Sequence, residues 1–307
     1  MKKKIVVVGS TGVDHVLNVT RFAEEGETLH VDNAQGIYGG GKGANQALAT
    51  ARAGAETTFV SKIGNDGLAD FELTDFKEAG MDIQYISQAE DVATGQAFIT
   101  VDEAGHNMIY VYGGANMALT PEDVEQATDA IKAAGMVVAQ LEIPVDTVTR
   151  AFEIARRYDV PTLLNPAPAK ELPESLLKLT DIIVPNETEA ALLSGVSLED
   201  KQFCDKTAAY FQDLGIKTVI VTLGEAGAYV STASLQQHVP GIKVKAVDTT
   251  AAGDTFIGAF ASRFDATSMN LVEAITYANR ASALTVQKSG AQVSIPTQQE
   301  TDDATFE

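Results

Sequence analysis

The sequence predicts an α/β protein of three layers, a mostly parallel central sheet flanked by helices, with a small β-sheet lid. Three observations carry this. Short apolar runs rich in β-branched residues alternate with helical patterns along most of the chain. Several of these runs are apolar at successive positions, as strands covered on both faces are. Two segments, about 15–39 and 95–113, leave that rhythm for strand-like stretches bounded by glycine.

The strands of the main sheet are expected at 5–8, 58–61, 136–141, 162–165, 182–184 and 218–222. Helices are expected at 44–53, 68–79, 121–134, 147–158 and 200–214. Thr120-Pro121 is a strong start signal for the third helix, since proline suits the first helical position. The basic start Met1-Lys2-Lys3-Lys4 followed by an apolar run resembles a secretory leader. That run ends at Gly9-Ser10-Thr11, too early for a leader's apolar core, and a buried first strand accounts for it.

Residues 16–38 have no helical period and contain Glu24-Glu25-Gly26-Glu27. Residues 95–112 read as two strands around Glu103-Ala104-Gly105. Both are excursions from the main sheet, either a flap over a ligand or two surface hairpins. An exposed sheet of this kind has edges and an apolar face to cover, which points to a homodimer. With no repeat, low-complexity run or Pro-rich linker, residues 1–307 read as one domain.

The net charge of −20 argues against a nucleic-acid or anionic-membrane partner. No window is long and apolar enough for a membrane-spanning helix. The single cysteine, Cys204, excludes an internal disulfide and fits a reduced cytoplasm. His15, His30, His106 and His238 are scattered without metal-ligand spacing, and the Gly-x-Ser-x-Gly hydrolase motif is absent.

The most informative stretch is Val247-Asp248-Thr249-Thr250-Ala251-Ala252-Gly253-Asp254-Thr255-Phe256. Small residues entering an apolar helical pattern set bare N–H groups at a helix N-terminus, where an anion is favoured. Asp254 beside such a hole reads as a base that takes a proton from a hydroxyl while the amides hold the transferring group. It reads equally well as a helix cap.

Other clusters bear on that choice. Gly39-Gly40-Gly41-Lys42-Gly43-Ala44-Asn45-Gln46 opens a helix and supplies a cation and an amide for hydroxyls or a phosphate. It is not a P-loop, because Gly43 stands where a magnesium-binding Ser or Thr should. Nor is Gly9-Ser10-Thr11-Gly12 a dinucleotide fingerprint. Asn186 and Glu189 have capping-box spacing, and Glu189 at a strand's end could equally order magnesium-bound water. Thr222-Leu223-Gly224-Glu225-Ala226-Gly227 has turn glycines suited to a nucleotide's phosphates. Asp14 and Glu142, at strand ends, suit sugar hydroxyls.

Together these residues resemble the carbohydrate kinases of the ribokinase (PfkB-type) family over nearly the whole chain. The markers are Gly9-Ser10 with Asp14-His15, the Gly40–Ala47 run, Asn165-Pro166-Ala167-Pro168-Ala169, Pro185 to Ala190, and Asp248 to Phe256. The resemblance implies transfer of the γ-phosphoryl of ATP to the 5-hydroxyl of D-ribose. Asp254 would be the base and Ala251, Ala252 and Gly253 the anion hole. Sugar contacts would come from Asp14, Gly41, Lys42, Gly43, Ala44, Asn45 and Glu142. ATP contacts would come from Asn186, Thr222 to Gly227, Gly253 and Asn279. Glu189 would organise Mg2+ through water. An activating K+ would be held by Asp248, Thr250, Thr285, Lys288, Gly290 and Ser294, several through backbone carbonyls.

One position departs from the family pattern. Gly12 stands where an Asn commonly helps hold the sugar, which leaves deoxyribose, fructose-type sugars or a nucleoside as competing substrates. A non-catalytic sugar sensor is the alternative of another class, and the intact base and anion hole argue against it.

Overall fold

The structure is a computed structural model, and it describes residues 2–31 and 33–306. The strands in chain order are β1 (Lys4–Val8), β2 (Gly12–Asn18), β3 (Asn33–Gly40), β4 (Glu56–Gly64), β5 (Asp82–Ala89), β6 (Gly95–Val101) and β7 (Asn107–Tyr112). They continue with β8 (Met136–Ala139), β9 (Thr162–Leu164), β10 (Ile182–Ile183), β11 (Thr218–Thr222), β12 (Gly227–Ser231) and β13 (Gln236–Pro240). Among the described residues the main sheet has nine strands in the order β13-β12-β11-β10-β9-β8-β1-β4-β5. Strands β11 through β5 in that order are parallel; β12 and β13 add an antiparallel edge.

Successive side chains of a strand point to opposite faces, and the core divides accordingly. Ile5, Val7, Val138 and Leu163 pack with Leu48, Phe256, Phe260 and Ile275 on one side. Val6, Val8, Val137 and Leu164 pack with Ile131, Val148, Phe152 and Ile154 on the other. This double burial is why these strands read as continuous apolar runs.

All six expected main-sheet strands are present, with β8 and β9 ending at Ala139 and Leu164. The helix expected over 121–134 is two, Pro121–Gln126 and Thr128–Lys132, joined at Ala127 outside helical geometry. Elements without a clear sequence signal include β5, β12, β13 and the helices Glu174–Leu179, Leu271–Thr285 and Gln298–Asp303.

The two excursions form a second sheet, in the order β3-β2-β6-β7. It begins at Gly12, ahead of the expected start near residue 15. Its register sets two rows across the sheet. Tyr38, Asp14, Ala97 and Val111 form one; Ile37, His15, Phe98 and Tyr110 form the other.

Helices Lys42–Arg52 and Ala252–Arg263 cross in close contact. A Cβ on Gly258 would come within 2.5 Å of Ala49 Cβ and 2.7 Å of the Gln46 carbonyl oxygen. This contact places the N-terminal turns of the two helices side by side.

Candidate active site

Asp254 lies in the first turn of helix Ala252–Arg263 and is buried. Gln46 Nε2 donates to its Oδ1 at 2.9 Å, and Asn45 Nδ2 donates to its Oδ2 at 3.1 Å. Burial pushes its carboxyl above the ordinary range, opposed first by the Lys42 charge and then by these two amides. Asp254 caps nothing: the cap position is Ala251, which makes no side-chain cap bond and adopts left-handed geometry at φ 61°. A non-glycine residue there carries strain of about 1 kcal/mol or more.

The Ala252 amide donates back to the Thr249 carbonyl at 3.2 Å. It is therefore engaged in the first turn, while Ala252 itself lines the site. The amides of Gly253 and Asp254 are first-turn donors without an intrahelical acceptor.

These amides face a cavity of about 440 Å³ lined by Asp14, Gly41, Lys42, Asn45, Glu142 and Asp254, among others. Glu142 accepts from the Ser10 hydroxyl at 2.6 Å and from the Lys42 amide at 2.9 Å. Burial, then the Glu142 charge, pushes the Asp14 carboxyl up to about 6. Asp254 raises the Lys42 ammonium despite burial, and Glu142 and Glu189 add to this. Asn45 Oδ1 is buried without a partner among the described residues, an acceptor suited to a ligand hydroxyl.

Gly43 and Ala44 do not line this cavity. Their amides go to Ser10, Gly43 to the hydroxyl at 3.2 Å and Ala44 to the carbonyl at 2.7 Å. A Cβ on Gly43 would sit 2.5 Å from the Gly9 carbonyl carbon. The glycine run thus includes a backbone-to-backbone packing contact, which a substrate-contact reading does not anticipate.

A second cavity, of about 450 Å³, is lined by Asn186, Thr222, Gly224, Glu225, Gly227, Gly253 and Asn279, among others. Leu223 and Ala226 lie outside this lining. The Leu223 amide donates to Gly227 and the Ala226 amide to Leu223, closing the turn. The two cavities share Asn186, Thr222, Thr249, Ala252 and Gly253. They meet at the N-terminus of the Asp254 helix.

Asn186 and Glu189 form a complete capping box on helix Glu187–Ser194, and Glu189 also borders the first cavity. One carboxylate oxygen accepts the Asn186 amide at 2.9 Å, and burial raises the group. The other oxygen suits a magnesium-bound water.

Beyond the shared wall, Asp248 Oδ1 accepts from the Thr250 amide and hydroxyl, and Oδ2 from the Gly290 amide at 2.9 Å. The Thr285 hydroxyl packs on Thr255, that of Ser294 bonds Ala291, and the Lys288 ammonium reaches Glu300. These three side chains are engaged with other residues, which leaves their backbone carbonyls as the simpler oxygen ligands.

At Gly12 a Cβ would lie 2.5 Å from the Gly95 carbonyl oxygen. The close approach of β2 to β6 leaves no room for a side chain, which gives the departure at this position a steric cause.

The model of the pfkB family carbohydrate kinases matches residues 2–298. The chain belongs to this family. Among relatives, it is 59% identical to the ribokinase of Staphylococcus aureus over 96% of this chain and 97% of that one. Arabidopsis thaliana ribokinase complexed with ribose and ATP superposes with a TM-score of 0.88 at 32% identity, covering 98% of each chain. A putative ribokinase II from E. coli, in complex with ATP and Mg2+, superposes with a TM-score of 0.79 at 26% identity, again covering 98% of each.

In this pfkB-family kinase several amides that support the site were given no role by the sequence reading. Gln46, fully buried, donates to both Asp254 and Asn165 and accepts from Gln140 Nε2 at 2.6 Å. Asn116 brackets Thr11, accepting its amide and donating to its carbonyl. A buried amide of this kind has no spacing of its own in a sequence. Gln46 and Asn165 lie in recognisable motifs; Gln140 and Asn116 do not.

Proposed function

We propose that the chain is an ATP-dependent ribokinase, transferring the γ-phosphoryl of ATP to the 5-hydroxyl of D-ribose to give D-ribose 5-phosphate. The observation that carries this reading is the junction of two cavities at Gly253 and Asp254, the carboxylate on the side lined by Asp14, Asn45 and Glu142. One cavity fits the sugar and the other the nucleotide. The share of identity with ribokinases, and the ribose and ATP named for the Arabidopsis structure, support the substrate pair.

In this reading Asp254 accepts the proton of the attacking hydroxyl, while the Gly253 and Asp254 amides hold charge on the transferring group. Gln46 and Asn45 fix the carboxylate's orientation. Phosphoryl transfer is largely positioning and electrostatic stabilisation, so these groups carry most of the work. Asp14, Asn45 and Glu142 would hold the sugar, with Lys42 balancing the carboxylates. Mg2+ bound with ATP would neutralise charge on the phosphates, and Glu189 would order its water shell. Asp248 and carbonyls of the 285–294 segment would hold an activating K+, and the second sheet would act as a lid joining two subunits.

A coupled assay across ribose, deoxyribose, fructose and adenosine tests the substrate. Ribose should have the highest kcat/KM; ribose among the poorest would sink the proposal. Replacing Asp254 with Asn should lower kcat by about 10² to 10⁴ while ribose still binds. Turnover near wild type would refute the base.

A further inference from the structure

Glu72 is a buried carboxylate that the phosphoryl-transfer chemistry leaves unused. It sits in the first turn of helix Asp70–Glu78 with none of its surface exposed. Its hydrogen-bond donors are all neutral. The Thr11 hydroxyl donates to Oε2 at 3.0 Å, Gln292 Nε2 donates to Oε1 at 2.8 Å, and the Gly40 amide donates as well. Burying a carboxylate against neutral donors alone is costly.

The three donors come from segments that bear on the sugar-side cavity. Thr11 immediately precedes β2 and Gly40 ends β3, with Gly12 and Gly40 paired in register. Both strands therefore leave the main body beside this carboxylate, and Asp14 stands two residues along β2 from Gly12. Gln292 belongs to the 290–294 turn, whose Gly290 amide holds Asp248. Arg52 fixes that turn by donating to the carbonyls of Gln292 at 2.6 Å and Ile295 at 2.9 Å. A Cβ on Gly39 would lie 2.4 Å from Gln292 Oε1 and 2.8 Å from Glu72 Oε1, so a glycine is required for the side chains to meet. As a carboxylate the group accepts from all three donors, and as the acid its one hydrogen can go to the Thr11 oxygen, whereas an amide would set two N–H hydrogens among these donors.

We propose that Glu72 is a positioning residue that clamps the roots of β2 and β3 to the 290–294 turn and so sets where Asp14 stands over the cavity. This rests on the reading of that cavity as the sugar site. The test compares KM for ribose, KM for ATP and kcat in the purified full-length enzyme and its variants. Glu72→Gln should raise the ribose KM by about fivefold or more, the effect of one mispaired buried hydrogen bond. The ATP KM and kcat should stay within about twofold. Thr11→Val and Gln292→Met, each removing one donor, should shift the ribose KM the same way, and Thr11→Val should add less than its full effect to Glu72→Gln. A folded Glu72→Gln enzyme with an unchanged ribose KM, or with both KM values raised alike, overturns the proposal. Should that variant not fold, an unchanged ribose KM in both Thr11→Val and Gln292→Met overturns it instead. Asp14→Asn, measured alongside, tests the sugar-site reading separately: if it leaves the ribose KM unaltered, that reading fails whatever Glu72 does.

Discussion

At the scale of single residues, the site depends on buried polar groups whose partners are specific. Asp254 is held by two amides, and Gln46 in turn is held by Gln140 and Asn165. Gln46→Leu removes the bond that orients Oδ1, so kcat should fall by about 10- to 100-fold. The ribose KM should change little, as steady-state kinetics at saturating ATP would show. Two raised carboxylates give a pH dependence with a definite sign. Asp14 is pushed up to about 6 by burial and then Glu142, and Glu72 to about 8 by burial. Each binds its proton more tightly folded than unfolded, so its contribution to stability is full below the unfolded carboxylate range and is lost as pH rises through the folded value. Thermal denaturation should show stability declining from about pH 5 to about pH 8, with a shallower decline in Glu72→Gln. On activity the sign reverses. Asp14 accepts sugar hydroxyls more strongly when ionised, so the ribose KM should climb as pH drops below about 6.

At the scale of elements, the N-terminal turns of helices Lys42–Arg52 and Ala252–Arg263 are brought together by Gly258, against which Ala49 and the Gln46 carbonyl lie within 2.7 Å of a would-be Cβ. Gly258→Val should push the helices apart, lowering both the melting temperature and kcat by overpacking worth about 1–3 kcal/mol. Calorimetry and kinetics on one preparation would measure both. The same elements show what a sequence can and cannot disclose. The parallel strands were legible because burial on both faces makes them apolar at successive positions, as in Ile5–Val8. β5 was missed because it lies at the sheet's edge with a mixed half-buried pattern, and β12 because it starts directly at Gly227 in a glycine turn. The helix entry at Ala251–Asp254 was legible from its small residues. That Gly43 would pack on Gly9 depends on a contact between segments that no local pattern encodes.

At the scale of the whole molecule, the second sheet has one row toward the cavity and one toward solvent. Ala97 and Val111, with Asp14, border the cavity, while Ile37, Phe98 and Tyr110 alternate with them and are 55%, 45% and 63% exposed. His15 stacks on Phe98 at 4.9 Å and extends the outer row. β7 is moreover an edge strand, exposed at every residue and carrying Met108, Ile109, Tyr110, Val111 and Tyr112. An uncovered apolar row beside a free edge is a surface that association removes from water. A second copy of the chain presents the same row and the same edge, so a two-fold arrangement would cover both at once. Since this sheet carries Asp14 on its inner side, association would also stiffen one wall of the sugar cavity. The wild type should therefore sediment as a dimer, and Tyr110→Asp, on the outer row and away from that wall, as a monomer. The ribose KM should rise in the same variant while the ATP KM holds. A wild-type monomer at micromolar concentration, or a Tyr110→Asp protein that remains dimeric, would remove the outer row as the subunit contact.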